Sequence, residues 1–212
     1  MADWVTISSL ATAGGTLVLA GATFASVRSA NRAARVAERT LLVGLRPVLV
    51  PARPEDPPER IDWHEGRVMS VSGGQAALEE SDGVVYMALP LRNVGSGLAV
   101  LHGWYLREGM SGSAVPHADP DDFRITLRDI YIAPGDTGYW QAAIRDADDE
   151  WRAIVRDAAS RRRPFTIEVM YGDHEGAQRE ITRFAIRPDA DEAWSGHVGR
   201  HWSLDSPDPR AR

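Results

Sequence analysis

The hydropathy pattern begins with an uncharged stretch from Trp4 to Val27, which is 24 residues long. At a rise of about 1.5 Å per residue, a helix of this length covers the roughly 30 Å hydrocarbon core of a bilayer. Only Met, Ala and Asp precede it, whereas a signal peptide carries a basic segment there. The pattern predicts a transmembrane helix over about residues 4–27. A cleaved signal peptide and a buried helix of a soluble protein are the alternatives.

A juxtamembrane helix is predicted over residues 28–45, because this segment is rich in alanine and Pro47 ends it. Its four arginines are spaced so that they lie within about 60° of one another around the helix: Arg28, Arg32, Arg35 and Arg39. Beside an anionic leaflet each of them contributes on the order of 1 kcal/mol. By the positive-inside rule they place the C-terminal side in the cytoplasm and the N-terminus outside, in the plasma (inner) membrane. A merely solvated helix face is the alternative.

A stripe of mostly small residues runs along both predicted helices at alternating spacings of four and three, as in a heptad repeat. We call this stripe the seam, and its members at intervals of seven are Ala13, Ala20, Val27, Ala34 and Leu41. Small side chains let membrane helices approach closely and associate by packing. We therefore expect a homo-oligomer, or binding to another membrane protein. The alternative is that an alanine-rich segment carries such spacings by chance.

After Pro47 the apolar positions alternate with period two, which is typical of strands. The predicted strands cover residues 48–50, 60–72 with a turn inside it, 84–92, 98–106, 125–132 and 138–144, and a hairpin of 165–171 and 182–186. In the strand at 98–106, alternation places one set of side chains on a common face: Leu98, Val100, His102, Trp104 and Leu106. One helix is predicted, capped by Asp146, with Trp151, Ile154, Val155 and Ala158 at helical spacing.

This order of elements predicts a mainly β fold. A transmembrane and a juxtamembrane helix within residues 1–46 precede an antiparallel immunoglobulin-like β-sandwich with one inserted helix, which occupies residues 47–188. Residues 189–212 are assigned to a C-terminal extension, and its last residues are expected to be disordered.

Two short motifs resemble those of a known group of proteins. One is an N-x-G-x-G-x-A turn, which links two core strands in many bacterial immunoglobulin-like sandwiches and is written here Asn93-Val94-Gly95-Ser96-Gly97-Leu98-Ala99. The other is Leu45-Arg46-Pro47, between an arginine-rich stalk and such a domain. The whole layout is similar to uncharacterised single-pass membrane proteins common in actinobacteria. The resemblance implies the sandwich fold and membrane anchoring, and it implies no activity.

The charge is unevenly distributed. Five arginines against Asp3 and Glu38 give residues 1–46 a net charge of +3, which leaves −9 for the rest of a chain whose total is −6. Nucleic acid is not an expected partner, because affinity for phosphate backbones comes largely from cationic contacts. The chain has no cysteine, so disulfides, thiolate metal sites and cysteine nucleophiles are excluded.

No motif predicts a catalytic residue, a metal or a cofactor, and the expected function is a membrane-anchored binding or scaffold module. Trp194 and Trp202 are candidates for a docking surface, unless they pack back over the domain. One alternative is a membrane-tethered metal-dependent hydrolase with residues gathered from Asp121, Asp122, His174, His197 and His201. Another is an extracytoplasmic receptor or envelope domain.

Overall fold

The computed structural model describes residues 3–176, 178–190, 193–208 and 210. The chain divides into two compact units, Met1–Val43 and Gly44–Arg212. The first unit is helical, and the second contains the strands, so the chain is mainly β with an N-terminal apolar helix.

Helix α1 is continuous over Trp4–Gly44, where the sequence predicts two helices. No proline interrupts it, and Gly14, Gly15 and Gly21 are tolerated within it. Its stretch Ser8–Glu38 is long and apolar enough to cross a membrane, with a mean hydropathy of 1.5 and none of its most apolar window buried. The alternative of a buried helix is therefore not supported, because the apolar side chains described along α1 are exposed.

Threonine hydroxyls of α1 are hydrogen-bonded to the backbone of the same helix. Three threonine hydroxyls in the apolar stretch donate to carbonyls four residues earlier, at 2.8–2.9 Å: Thr12 to Ser8, Thr16 to Thr12 and Thr23 to Leu19. A hydroxyl bonded to its own backbone needs no water, which is what a hydrocarbon environment requires.

The described residues of the second unit contain eleven strands and one α-helix. The strands are β1 (Leu49–Pro51), β2 (Glu59–Asp62), β3 (Val68–Val71), β4 (Gln75–Ser81), β5 (Val84–Asn93), β6 (Ala99–Glu108), β7 (Arg124–Ile132), β8 (Thr137–Ile144), β9 (Phe165–Gly172), β10 (Arg179–Pro188) and β11 (Trp194–Ser203). Helix α2 covers Glu150–Arg161, and a short 3-10 helix covers Pro120–Asp122.

Nine of the described strands form one curled antiparallel sheet, in the order β1-β5-β4-β11-β10-β9-β6-β7, with β8 on the other edge of β5. Strands β2 and β3 form a separate hairpin. Although β7 and β8 are consecutive in the chain, β7 pairs with β6 and β8 pairs with β5. The curl therefore brings β7 and β8 close together, and within the described chain they do not pair with each other.

Strand β4 is absent from the sequence predictions, although its turn carries a recognisable signal. Asp82 and Gly83 link β4 to β5, and both have positive φ, at 52° and 75°. Two left-handed residues in a two-residue loop make the turn that matches the twist of a hairpin, and Asp-Gly is a preferred sequence for it. Strand β4 contains few apolar residues, and these are adjacent in the sequence, so they give no clear alternation.

Strand β11 corrects the assignment of residues 189–212 to an extension. It pairs with β10 over its length, from Pro188↔Trp194 to Glu180↔Ser203, and so belongs to the sheet. Beyond it, Asp205 accepts hydrogen bonds from Arg179 and Asp208 pairs with Arg200 at 2.6 Å. The expectation of disorder for the last residues falls partly on 209, 211 and 212, which lie outside the described residues.

Helix α2 begins one turn later than predicted, with Asp149 and not Asp146 as its N-cap. The Asp149 carboxylate accepts a hydrogen bond from the backbone N–H of Trp151 at 2.9 Å. The same carboxylate accepts hydrogen bonds from both terminal nitrogens of Arg124, at 2.5 and 2.8 Å. The Arg124 guanidinium lies 3.6 Å from the centroid of the Trp151 ring. Asp146 instead accepts a hydrogen bond from Asp148 N, within the turn that precedes the helix.

The predicted common face of the strand at 98–106 is wrong, because β6 contains a bulge between Leu101 and Gly103. An extra residue in one strand turns the side chains after it to the opposite face. The core therefore receives Ala99 and Leu101 before the bulge and Trp104 and Leu106 after it. His102 lies at the bulge, and partial burial lowers the pKa of its imidazole.

Candidate functional site

The segment that leads into the domain is held by a buried asparagine, Asn93, at the end of β5. Its amide N–H groups donate to the carbonyls of Gly97 and Ile132 at 2.7 and 3.0 Å. Its carbonyl oxygen accepts from the backbone N–H groups of Val48 and Gly95 at 3.2 and 3.0 Å. One side chain thus joins the entry segment, the β5–β6 turn and the end of β7.

The two glycines of this turn lie where side chains have no room. A Cβ on Gly97 would approach the Leu45 carbonyl oxygen to 1.6 Å, and one on Gly95 would approach the Arg46 carbonyl oxygen to 2.4 Å. The Arg46 carbonyl in turn accepts the N–H of Ser96 at 3.0 Å. The two motifs that the sequence singles out therefore contact each other, and we call this contact the junction.

A charged cluster completes the junction. The buried carboxylate of Glu180 on β10 contacts the Arg46 guanidinium at 2.8 Å and His201 Nε2 at 2.8 Å. His201 Nδ1 lies 3.0 Å from the Thr182 hydroxyl, which lies 2.9 Å from the Tyr171 hydroxyl. Burial raises the pKa of Tyr171 to about 12, so this phenol stays protonated at neutral pH.

A second site is a cavity of about 700 Å³ lined by residues of β7 and β8, which we call the groove. Both strands contribute residues to its lining, and the turn after β2 adds Trp63 and His64. Trp63 donates its indole N–H to the Ala142 carbonyl at 3.3 Å, which holds the β2–β3 hairpin against β8. Clefts of this size are typical of small-ligand sites.

The groove has an apolar floor and an apolar lip. Its floor includes the buried side chains of Trp63, Trp104 and Ile130, and its lip includes Ile125 and Leu127, which are 83% and 89% exposed. Ile125 and Leu127 are two residues apart on an edge strand, so they lie on the same face and add to one exposed apolar surface, and such surfaces mark interaction sites when they are contiguous.

Three arginines surround the groove, and each reaches a carboxylate outside its lining. Arg124 is pinned between Asp149 and Trp151, and its hydrogen bond holds the pKa of Asp149 below its usual range. Arg145 donates to Glu65 at 2.5 Å, and this bond lowers the pKa of that carboxyl. Arg128 contacts Asp62 at 3.3 Å with both side chains exposed, and such pairs contribute little to stability.

The predicted membrane-surface arginines lie along α1. Arg28, Arg32 and Arg35 are exposed, whereas the side chain of Arg39 lies outside the described ones. All five predicted seam residues are on the same helix and are exposed: Ala13, Ala20, Val27, Ala34 and Leu41.

The two tryptophans proposed for docking are buried, each 6% exposed. Trp194 packs in the main core with its ring 5.9 Å from that of Phe165, and Trp202 packs with Ala118, Phe123 and Ile181. Neither can serve as a docking anchor in this structure, and the alternative that they pack back over the domain is correct. β11 buries them, because it belongs to the sheet.

The residues of the hydrolase alternative are not gathered into a metal site. His197 and His201 lie on a strand and not on one helical face; His201 contacts Glu180, and His197 contacts Ser195 at 3.1 Å. Over the described residues, no group of three or more His, Asp or Glu side chains is placed to hold a metal ion.

The groove itself was not predicted from the sequence. The available signal was the row of apolar residues Ile125 and Leu127 beside Arg124 and Arg128 in a strand that ends at a short turn. Comparison with protein-family models finds no family that matches the chain, and comparison with curated proteins finds no significant match. Function is therefore inferred from the geometry of the junction and the groove.

Proposed function

We propose that this chain is a single-pass protein of the plasma (inner) membrane whose domain is a binding or scaffold module on the cytoplasmic side. The observation that carries the proposal is helix α1, whose uncharged stretch exposes Leu10, Leu17, Val18, Leu19 and Phe24 along its length. Exposing so much apolar surface to water is costly, whereas a bilayer covers it. The bonding of the threonine hydroxyls to the helix backbone suits the same environment.

Orientation follows from the arginines. Arg28, Arg32 and Arg35 lie immediately after the uncharged stretch, where the positive-inside rule places the cytoplasm, and an anionic leaflet attracts them. A single cysteine tests this, because the chain has none of its own. Ala114 is exposed between two strands and makes Ala114→Cys a suitable labelling site.

Cells that express Ala114→Cys are treated with a membrane-impermeant maleimide, before or after permeabilisation. Labelling only after permeabilisation supports the cytoplasmic domain. Labelling of intact cells would contradict it and would favour an extracytoplasmic receptor or envelope domain. Release of the chain from membranes by alkaline carbonate would contradict the membrane span itself.

We further propose that the chain self-associates in parallel along the seam. The seam side chains described on α1 are exposed, and their small size lets two helices approach closely. Crosslinking in membranes tests this with Ala20→Leu and Ala34→Leu, each of which places a bulky side chain on the seam. Ala22→Leu, on the other side of α1, is the matched control. Unchanged oligomers in both seam variants would count against the seam.

The curled sheet is, we propose, an immunoglobulin-like sandwich related to those of actinobacterial single-pass proteins. One main core receives side chains from β5 and β8 and from β6, β9 and β10, as two facing layers would supply. The turn at Asn93–Gly97 links β5 to β6, two strands of that core, as the motif does in the sandwiches it resembles.

A further inference from the structure

We propose that the groove binds a small amphipathic carboxylate, a molecule with an aromatic or aliphatic body and one carboxylate head. This inference rests on the proposed role as a binding module and names the class of its ligand. It is drawn from the charge of the lining, the apolar surface of the floor and lip, and one buried polar atom that lacks a partner.

The lining is basic in a domain that is acidic. Residues 47–212 carry a net charge of −9, yet the described lining of the groove includes Arg124, Arg128, Arg145 and His64 and neither Asp nor Glu. The carboxylates that pair with these arginines approach them from outside the groove. An anion inside the groove therefore meets guanidinium groups and no negative lining residue.

Two of the arginines are suited to receive the head group. The carboxylates that pair with Arg128 and Arg145 are 64% and 34% exposed, whereas the one that pairs with Arg124 is 12% exposed. Arg124 also stacks on Trp151, and Arg128 also donates to the Asp62 carbonyl and the Tyr139 hydroxyl. An exposed ion pair is weak and exchanges partners readily. A guanidinium also presents several N–H donors at once, so it binds a ligand carboxylate while it keeps contact with its own acid.

The apolar body of the ligand has matching surfaces. Trp63, Trp104 and Ile130 line the floor, and Ile125 and Leu127 add exposed aliphatic surface to the lining. Covering the two exposed aliphatic side chains removes apolar area from water, which favours binding.

One polar atom points to a further contact. Gln141 lines the groove from β8, and its buried Oε1 accepts no hydrogen bond from any described residue. A buried acceptor without a donor is costly, and a ligand N–H or O–H group removes that cost. A ligand that carries one donor in addition to its carboxylate should therefore bind more tightly than a simple acid without one.

A small molecule fits these features better than a peptide strand. The cavity of about 700 Å³ is within the range of small-ligand pockets. The Ala142 carbonyl on β8 is already bonded to Trp63, so the edge of β8 does not present a continuous ladder to an added strand.

The test is isothermal titration calorimetry of the full-length protein in detergent micelles, with empty micelles subtracted. The probe is phenylbutyrate, and its neutral amide phenylbutyramide is the matched ligand. We expect saturable binding of the acid and at least about tenfold weaker binding of the amide, since one charge-assisted hydrogen bond is worth that factor. Arg128→Gln and Arg145→Gln should each weaken binding of the acid by about the same factor and leave the affinity for the amide unchanged.

Two further variants separate binding from folding. Leu127→Glu adds a carboxylate at an 89% exposed position, so it should weaken binding of the acid without lowering Tm. Leu127→Gln is its uncharged counterpart and should not show the part of this loss that comes from charge repulsion. Arg161→Gln, an exposed paired arginine on α2, is the control and should change nothing. Equal binding of acid and amide, or wild-type affinity in Arg128→Gln, Arg145→Gln and Leu127→Glu, would overturn the proposal.

Two other outcomes also decide the matter. An absence of saturable phenylbutyrate binding would overturn the proposal, and so would selective binding of an extended acidic peptide, which would assign the groove to a protein partner. The calorimetry uses purified protein, whereas the membrane proposal is tested by labelling and extraction in cells. Failure of one proposal therefore leaves the result of the other interpretable.

Discussion

Replacing Asn93 by alanine tests whether one buried side chain holds the junction together. Asn93 is fully buried and makes four hydrogen bonds of 2.7–3.2 Å, two as donor and two as acceptor. Alanine makes none of them and leaves the backbone groups of Val48, Gly95, Gly97 and Ile132 without this partner. A hydrogen bond contributes about 1 kcal/mol net, so the variant should lose about 4 kcal/mol.

A loss of that size is a large fraction of the 5–15 kcal/mol by which domains are typically stable. For a domain of this length, each kcal/mol lowers Tm by about 2–4 °C, so Asn93→Ala should melt about 8–16 °C below the wild type. The assay is thermal unfolding of the full-length protein in detergent, followed by near-ultraviolet circular dichroism. Trp104 reports tertiary packing in this signal, because its ring lies 5.5 Å from Trp140 and 4.8 Å from Trp151.

The matched control is Asn31→Ala, since Asn31 is exposed on α1 and alanine favours a helix. It should leave the Tm of the domain unchanged. A cooperative Asn93→Ala transition within about 3 °C of the wild type would refute the reasoning, because less than about 1 kcal/mol would then be lost from the whole network.

Three other predictions follow from buried contacts. Gly97→Ala should destabilise the domain by about 1–3 kcal/mol or more through its clash with the Leu45 carbonyl, whereas Gly112→Ala, with open space around it, should not; equal Tm values would refute this. Glu168→Gln should cost about 3–5 kcal/mol in denaturant titrations, because it leaves Arg183 buried without its anion, and Arg183→Met should restore part of that in the double variant. For Asp149, whose pKa is lowered in the fold, the stabilisation is complete above its unfolded pKa of about 4 and is lost as pH falls through the lower folded value. The Tm advantage of the wild type over Asp149→Asn should therefore shrink below about pH 4, and a constant difference would contradict the assignment.

Much of the strand pattern was predictable because burial on one face gives an alternating apolar pattern and burial on both faces gives a continuous apolar run. Strands β5, β8, β9 and β10 alternate or run apolar in the sequence, and the structure places them close to the predicted bounds. Strands in which this alternation is broken or weak were not predicted correctly. The bulge in β6 reverses its faces after Leu101, and a bulge depends on how the neighbouring strands pair, which no single strand encodes.

The two C-terminal tryptophans are a second case in which strand pairing, and not local sequence, decides where side chains lie. Trp194 and Trp202 lie in a segment rich in glycine and polar residues, which resembles an extension when it is read alone. Pairing with β10 buries both rings. Exposure is a property of the neighbours that a segment acquires, so sequence alone could not decide between docking and packing.

The sequence by itself determined the properties that depend on local composition and order. An uncharged stretch of 24 residues, arginines on its C-terminal side and a change of period after Pro47 need no tertiary contact to be recognised. Only the tertiary structure decided that Asn93 bonds to Val48 and that Gly97 lies against Leu45 at the junction. It also brought β7 beside β8 to open a groove whose lining is basic, because both sites join residues that are distant in the chain and meet only when the sheet curls.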